Sequence, residues 1–263
     1  MDRPTYECIG RGYSRHRAAD ARIVRELIRL LWLQKGGAIV DVGAGTGNYS
    51  AALARLGYTI TAVEPSMTTR KQAEDVPGVR WVATTAKRLP LPDGCADGAI
   101  CVLALHHFSD VKAALSEMRR VTGCGSIVVL TFDPRAAEPF WFADYFPDLW
   151  HEAYEVFPPL EDIIDLAKEN TGQHVEVYPF RLPHDLRDKF AAAGWQRPRM
   201  YLDDDVRAGI SCFALADQSS VREGLRRLSR DLESGAWHRK YHDILTFEDF
   251  DAGYRFLGIG GVS

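Results

Sequence analysis

The sequence lacks the features that would place it in a membrane or in an oxidising compartment. No run of about 18 apolar residues occurs, and the first residues contain no apolar signal core. The five cysteines are odd in number and scattered, and no C-x-x-C pair exists. Neither a disulfide framework nor a zinc site is therefore indicated. We expect a soluble protein of the reduced cytoplasm, with no membrane partner.

The sequence also lacks a large excess of charge of either sign. The 263 residues have a net charge of −4 and a pI of about 6.1, which argues against nucleic acid as a main partner. His238 and His242 have a helical spacing but lack a third metal ligand, and the acidic run Asp203–Asp205 is typical of a helix cap. No metal site is expected.

The segment IVDVGAGTGN at 39–48 is the most informative motif that the sequence does contain. Its glycines Gly43, Gly45 and Gly47 follow a short apolar run that includes Asp41, and a second apolar run ends at Glu64. A glycine turn after one strand and a carboxylate after the next is how an α/β sheet holds a ribose-bearing ligand.

Three interpretations of this glycine turn compete. It could be a tight turn without a ligand, although Asp41 and Glu64 argue against that. A dinucleotide-binding turn requires G-x-G-x-x-G, whereas Asn48 follows a G-x-G-x-G here, and Asp41 would repel a phosphate. A Walker loop is excluded because no Gly-Lys-Ser/Thr follows. The remaining interpretation is a ligand with a ribose and a charged amino-acid tail but without phosphates.

The hydrophobic pattern predicts strands that alternate with helices, which indicates a parallel, doubly wound sheet. A helical period covers 19–34. Five strands are predicted at Ala38–Val42, Thr59–Val63, Val79–Ala83, Gly98–Leu103 and Ser126–Phe132. Helices are predicted at Asn48–Leu56, Ser66–Glu74, Val111–Val121 and Leu160–Glu169, and Ser66 is expected to cap the second of them. After Asp133 the alternation stops, and an aromatic stretch, two further strands at His174–Phe180 and Tyr254–Ile259, and a mostly helical segment at 184–250 follow.

Four motifs together resemble the class I S-adenosylmethionine-dependent methyltransferases, in particular their small-molecule "type 11" branch. They are IVDVGAGTGNYS at 39–50, VEPS at 63–66, LPLPDG at 89–94 and ADGAICVLALHHFSD at 96–110. The resemblance covers about residues 36–133. It implies an α/β fold with a Rossmann-like, seven-stranded methyltransferase sheet, doubly wound and extended by helical cap insertions.

The resemblance and the pattern together predict five regions. They are an N-terminal lid and first helix at 1–35, a cofactor-binding α/β core at 36–133, an insertion with the sixth strand at 134–183, a helical substrate cap at 184–250, and the last strand and tail at 251–263.

The cofactor implied by the resemblance is S-adenosyl-L-methionine. Asp41 is expected near its ammonium group, through water or backbone amides. Both carboxylate oxygens of Glu64 are expected on the ribose hydroxyls, and Arg17 on the cofactor's carboxylate. Ser66 and Met67 are expected beside the adenine, and Thr85 and Ala86 at its edge, where Lys87 departs from the acid that the family usually has. The predicted cofactor residues are Tyr13, Arg17, Asp41, Gly43, Ala44, Gly45, Asn48, Tyr49, Glu64, Pro65, Ser66, Met67, Thr85, Ala86 and Leu103.

The acceptor side is less defined by the sequence. His106 and His107 follow the fourth strand, where ligands bind in open α/β folds, and either could act as a general base; both could equally only shape the pocket. Four aromatic residues after the fifth strand are candidates for binding the acceptor or for packing a core. These are Trp141, Phe142, Tyr145 and Trp150.

The predicted function is methyl transfer to a small-molecule acceptor, through an oxygen, nitrogen or carbon atom, by in-line displacement that releases S-adenosylhomocysteine. A lyase or cyclase that uses the same cofactor and a non-catalytic binding protein on the same fold remain alternatives. The protein is expected to be a monomer or a homodimer.

Overall fold

The computed structural model describes residues 17–260 and contains a seven-stranded sheet in the order β3-β2-β1-β4-β5-β9-β6. Its strands are β1 (Ala38–Val42), β2 (Thr59–Val63), β3 (Val79–Val82), β4 (Gly98–Val102), β5 (Ser126–Ala137), β6 (Val175–Pro179) and β9 (Ala252–Ile259). The first five are parallel, and β9 runs antiparallel between β5 and β6. The predicted fold class is therefore confirmed.

Eleven helices are described within residues 17–260. They are α1 (Ala21–Leu31), α2 (Asn48–Arg55), α3 (Met67–Arg70), α4 (Val111–Thr122), α5 (Phe142–Tyr145), α6 (Pro147–Val156), α7 (Leu160–Thr171), α8 (Asp204–Ala208), α9 (Ser211–Leu215), α10 (Gln218–Glu233) and α11 (Ala236–Lys240). Short 3-10 turns cover Leu105–His107, Pro198–Leu202 and His242–Thr246. None of the described helices is long and apolar enough to cross a membrane.

Side-chain caps fix the starts of α1 and α4. The side chain of Asp20 accepts from the amide of Arg22 at the start of α1, and Asp110 accepts from Ala113 at the start of α4. These bonds satisfy amides that have no partner inside the helix. The predicted cap at Ser66 is confirmed, since its hydroxyl accepts from the amide of Thr69.

The structure differs from the predicted secondary structure in three places. The helix predicted at Ser66–Glu74 is a single turn, α3, because β-branched Thr68 and Thr69 favour helix weakly. The fifth strand continues from Phe132 to Ala137 through an irregular register opposite β9. The segment 184–250 also contributes a strand, β8 (Asp249–Phe250), which pairs with β7 (Leu182–Pro183).

The sheet separates two hydrophobic clusters. Alternate residues of β5 point to opposite faces, so that Val128 and Leu130 join one cluster and Ile127 and Val129 the other. Helices α1 and α2 cover the first face together with residues of the 184–250 segment, whereas α4 and α7 cover the second. The segment 184–250 thus shares a core with the sheet.

Candidate functional site

A cavity of about 240 Å³ opens at the carboxyl ends of β1, β2 and β4. This is the edge at which ligands bind in open α/β sheets. Eleven of the predicted cofactor residues line it: Arg17, Gly43, Ala44, Gly45, Asn48, Tyr49, Glu64, Pro65, Thr85, Ala86 and Leu103. The cavity therefore lies where the sequence placed the cofactor site.

The glycine turn is attached to the end of β2. The amides of Gly43 and Ala44 both donate to the carbonyl of Val63, at 2.9 and 3.0 Å. Gly43 has φ +79°, and a Cβ there would come within 2.6 Å of the Ala104 Cβ. Only glycine fits such a backbone without strain or a clash.

Glu64 is fixed between two backbone amides. Its Oε2 accepts from the amide of Gly45 at 3.1 Å, and its Oε1 accepts from the amide of Ser66 at 2.9 Å. Both oxygens were predicted to bind the ribose hydroxyls, whereas each already accepts a hydrogen bond from a backbone amide. These two bonds hold the rotamer of the buried side chain, and because a carboxylate oxygen can accept more than one hydrogen bond, they do not by themselves exclude a ligand.

Asp41 lies beneath the glycine turn and does not line the cavity. Its Oδ2 accepts from the Ser50 hydroxyl at 2.6 Å. Burial, opposed by this hydrogen bond and reinforced by the charge of Glu64, raises the pKa of Asp41 to about 7. Asp41 was predicted to act on the ligand's ammonium group through water or backbone amides, and its position outside the cavity lining is compatible with such an indirect role.

The residues predicted beside an adenine are rearranged. Met67 is 54% exposed and lies outside the cavity lining, because α3 turns its side chain to solvent. Ser66 is buried and serves Glu64 and the start of α3, since its hydroxyl also accepts from Thr69 Oγ1. Thr69 lines the cavity in their place.

The wall beyond β3 is polar. Thr84, Thr85, Ala86 and Lys87 all line the cavity, and Lys87 is exposed there. The loop supplies backbone and hydroxyl groups that can bind the edge of a heterocycle. Lys87 gives this edge a positive charge where the family usually has an acid.

The two predicted catalytic histidines lie in the loop after β4, with ring centroids 3.8 Å apart, but only one of them lines the cavity. Leu103 has a left-handed φ of +53°, which turns the chain into the 3-10 helix that contains both. His107 lines the cavity. His106 does not, because its ring packs against Phe157, with centroids 4.2 Å apart. The prediction that His106 acts in catalysis is not supported by this placement.

Both imidazoles are neutral at physiological pH. Burial and then the positive charge of Arg17 lower the pKa of His107 to about 4. Burial, His107 and Arg17 lower the pKa of His106 well below its usual value. A neutral ring can accept a proton, but such a low pKa makes His107 a weak base.

Arg17 lines the cavity but pairs with a protein carboxylate. Its Nε and Nη2 both donate to Asp188, and the side-chain Nδ2 of Asn48 donates to the Arg17 carbonyl. The Tyr49 hydroxyl also donates to Asp188, at 2.9 Å. A ligand carboxylate was predicted as the partner of Arg17, whereas in the structure the guanidinium pairs with Asp188. Tyr13, the other residue predicted from the N-terminal segment, lies outside the described residues.

The four predicted acceptor-binding aromatics lie away from the cavity lining. Trp141, Phe142 and Tyr145 are buried in the first hydrophobic cluster, and Trp150 packs against it. The Trp141 ring Nε1 donates to the carbonyl of Trp195 at 2.5 Å. The structure corrects the prediction: α5 and α6 turn these rings inward, where they pack a core under the 184–250 segment.

Sequence reasoning missed several lining residues. Most flank a predicted one, and adjacency was the available signal; they are Thr46, Val63, Thr69, Thr84, Lys87, Val102, Ala104, Phe108 and Ser109. No sequence pattern indicated Asp188, because only folding brings it close to residues 17 and 49. No cluster of three potential metal ligands occurs among residues 17–260.

Comparison with known proteins fits this geometry. A family model described as a methyltransferase domain, of type 11, matches residues 40–130. A solved structure of a putative methyltransferase from an antibiotic biosynthesis pathway of Anabaena variabilis is 50% identical, with a TM-score of 0.91, over 94% of this chain and 99% of that one. The chain belongs to the class I S-adenosylmethionine-dependent methyltransferases, in their type 11 branch.

Curated relatives of this methyltransferase act on carbon and on oxygen. The ubiquinone/menaquinone biosynthesis C-methyltransferase UbiE of Rubrivivax gelatinosus is 29% identical over 75% of this chain and 76% of its own length. The O-methyltransferase resE of Aspergillus sclerotiorum is 30% identical over 65% of each chain. The chain spans about half the length of several further relatives. The methyltransferase transfers methyl groups from S-adenosylmethionine to small molecules.

The cavity of the methyltransferase suits this cofactor. A Cβ on Gly45, at φ +58°, would meet no atom within 4 Å, so the turn presents bare backbone to open space. The buried hydroxyl of Thr46 has no hydrogen-bond partner within residues 17–260. An unpaired polar group in a cavity wall indicates that a ligand completes its hydrogen bonding.

Proposed function

We propose that the cavity holds S-adenosylmethionine from Glu64 at the adenosine end to Arg17 at the amino-acid end, and that His107 and Leu103 face the transferred methyl group. The observation that carries this assignment is Glu64, held by the amides of Gly45 and Ser66 at the edge of the cavity. A preorganised carboxylate at the end of β2 matches a ribose diol.

At the adenosine end, Pro65 and Thr69 would contact the base, and Thr85 and Ala86 would bind its edge. Support comes from their common wall of the cavity. Met67 is left out of this assignment because it is exposed, and Ser66 acts by positioning Glu64.

At the amino-acid end, the backbone of Gly43, Ala44 and Gly45 would approach the methionine portion, with Asn48 and Tyr49 beside it. The buried charge of Asp41 would favour the cofactor's ammonium group through the amides of the turn. Arg17 would help to bind the carboxylate from the position in which Asp188 holds it. We propose that Tyr13 also helps to bind this end of the cofactor.

When bound, S-adenosylmethionine supplies an electrophilic methyl group on a sulfonium, and the residues align it with the acceptor for in-line displacement. The lining at Leu103, Ala104 and Phe108 is apolar, and together with a bound acceptor it would keep water from that end. Alignment and desolvation supply most of the acceleration in such a transfer. His107, with a pKa of about 4, would orient the acceptor rather than remove a strongly held proton.

The acceptor would be a small molecule methylated on carbon or oxygen, as in the curated relatives.

The cellular setting is also proposed from the sequence. The scattered cysteines favour a reduced, cytoplasmic compartment, and the negative net charge argues against a nucleic-acid partner. We propose a monomer or a homodimer with no membrane partner. The predicted division into 36–133 as cofactor-binding core and 184–250 as cap is retained as part of this proposal.

The function is tested by incubating the protein with methyl-labelled S-adenosylmethionine and fractionated metabolite extracts. We expect label in a small organic product and an equal amount of S-adenosylhomocysteine. The Glu64→Ala variant, at the same cofactor concentration, should give much less of both.

Two outcomes would contradict methyl transfer. An unlabelled product formed only in the presence of the cofactor would favour a lyase or cyclase. Tight cofactor binding without turnover, across all fractions, would favour a binding protein.

A further inference from the structure

Asp188 is a buried carboxylate from the 184–250 segment, within a cavity otherwise built largely from the α/β core. It is 1% exposed and lines the cavity. The family model ends at residue 130, so this residue lies outside the part of the chain that the methyltransferase domain covers. A charge in such a place is costly unless it is paired and hydrogen-bonded.

Three donors from two other parts of the chain satisfy Asp188. Arg17, ahead of α1, donates through both Nε and Nη2, and Tyr49, in α2, donates its hydroxyl. Burial and then the charge of Asp188 hold the pKa of Tyr49 well above its usual value, so the phenol remains a donor. All three side chains line the same cavity.

We infer that Asp188 is a positioning residue of the cofactor site, and that through it the 184–250 segment is coupled to cofactor binding. Asp188 fixes the directions of the Arg17 guanidinium and the Tyr49 phenol, both of which face the cofactor cavity. Holding these groups before binding lowers the ordering cost of binding. The inference rests on the proposed assignment of the cavity to S-adenosylmethionine.

A second contact between the same segments provides a matched control. Asp185 accepts from Arg22 at 2.6 Å, but it is 61% exposed and lies outside the cavity lining. Asp185→Asn removes an ion pair between the N-terminal region and the 184–250 segment without touching the cavity. Any effect of Asp188→Asn beyond that of Asp185→Asn belongs to the cavity.

The first experiment measures S-adenosylmethionine and S-adenosylhomocysteine affinity by calorimetry. Asp188→Asn should weaken both by about tenfold, the scale of a lost charge-assisted hydrogen bond, and Asp185→Asn should change neither by more than about twofold. Tyr49→Phe should also weaken binding, but much less in the Asp188→Asn background, because the hydroxyl is positioned through Asp188. Additive effects of the two substitutions, or unchanged affinity in Asp188→Asn, would overturn the inference.

The second experiment needs no variant and therefore stands if Asp188→Asn fails to fold. Hydrogen exchange of the full chain is compared with and without saturating S-adenosylmethionine. Coupling is reciprocal, so cofactor binding should slow exchange in peptides around Asp188 and Phe190. Unchanged exchange there, with slower exchange at the glycine turn, would overturn the inference.

Two results distinguish a wrong role for Asp188 from a wrong assignment of the cavity. If Glu64→Ala weakens cofactor binding and Asp188→Asn does not, the assignment of the cavity stands and the role of Asp188 is wrong. If neither substitution weakens binding, the assignment of the cavity itself is wrong.

Discussion

The amide of Gly45 donates a 3.1 Å hydrogen bond to Glu64, so the glycine turn and the carboxylate after the next strand form one unit. The carboxylate receives a second amide bond from Ser66, which fixes its direction toward the cavity. The backbone of the turn and the acid that follows β2 thus depend on each other for position.

Replacing Glu64 tests this unit. Glu64→Ala removes the ribose acceptor and leaves the Gly45 amide without its partner. We expect S-adenosylmethionine affinity to fall by roughly 1.5–3 kcal/mol, the scale of a charge-assisted hydrogen bond. Calorimetry provides the measurement, and Glu74→Ala is the control, because Glu74 is an exposed acid paired with Arg55. Unchanged affinity in Glu64→Ala would contradict the proposal that Glu64 binds the ribose.

Adding one methyl group at Gly43 tests the packing of the turn against the loop after β4. Gly43→Ala would place a Cβ 2.6 Å from that of Ala104 and strain a φ of +79°. We expect a loss of about 2–4 kcal/mol in unfolding free energy, together with weaker cofactor binding, since the turn must move.

Gly57→Ala separates strain from clash. Gly57 has φ +96° but no atom within 4 Å of a Cβ, so only the backbone strain remains, at roughly 1–2 kcal/mol. Urea unfolding measures both variants. Equal losses would show that contact with Ala104 contributes nothing.

The glycine turn and Glu64 could be predicted because their signal is local. A strand end, a turn that needs positive φ and an acid after the next strand are all visible within 25 or so residues of sequence. The same locality explains why Ser66 was recognised as a helix cap. The seven strands were also predicted: the buried parallel strands are short apolar runs, whereas β6 and β9, which run antiparallel, followed from the alternation and the apolar pattern near the end of the chain.

The rest of the site depends on long-range packing. Asp188 lies 171 residues from Arg17 in the chain and 139 from Tyr49, and no spacing rule connects them. Similarly, an aromatic residue after β5 can face a cavity or a core, and composition does not distinguish the two. Met67 was misplaced because α3 is a single turn whose orientation follows from the bonds of Arg70 to the carbonyls of Glu64 and Pro65.

The two histidines after β4 should differ in what their loss affects. His107→Ala removes a side chain from the cavity, and we expect kcat to fall by about tenfold while cofactor affinity changes by less than about threefold. His106→Ala removes packing against Phe157 and should lower the melting temperature with little change in kcat. Steady-state kinetics and thermal melts measure the pair. A larger loss of kcat in His106→Ala would reverse the two roles.

Asp41 should make the free protein less stable at alkaline pH. Its pKa is about 7 in the folded protein and near 3.8 in the unfolded chain. Between these values the folded protein holds a proton that the unfolded chain has released, so this residue's contribution to stability falls as pH rises and is lowest above pH 7. Asp41→Asn, which can still accept from Ser50, should therefore raise the melting temperature more at pH 8 than at pH 5. A gain that is equal at both pH values would contradict a raised pKa.

Trp141 should behave as a core residue and not as part of the acceptor site. It is 1% exposed, its Nε1 donates to Trp195, and its ring packs edge-on against Trp237 with centroids 5.6 Å apart. Trp141→Ala should cost about 3–5 kcal/mol of unfolding free energy, because it leaves a large cavity and an unpaired carbonyl. Trp141→Phe should cost less and leave the KM for the acceptor unchanged, since the ring does not reach the cavity. Urea unfolding and kinetics on the same samples separate the two roles: a raised KM at unchanged stability in Trp141→Phe would return this residue to the acceptor site.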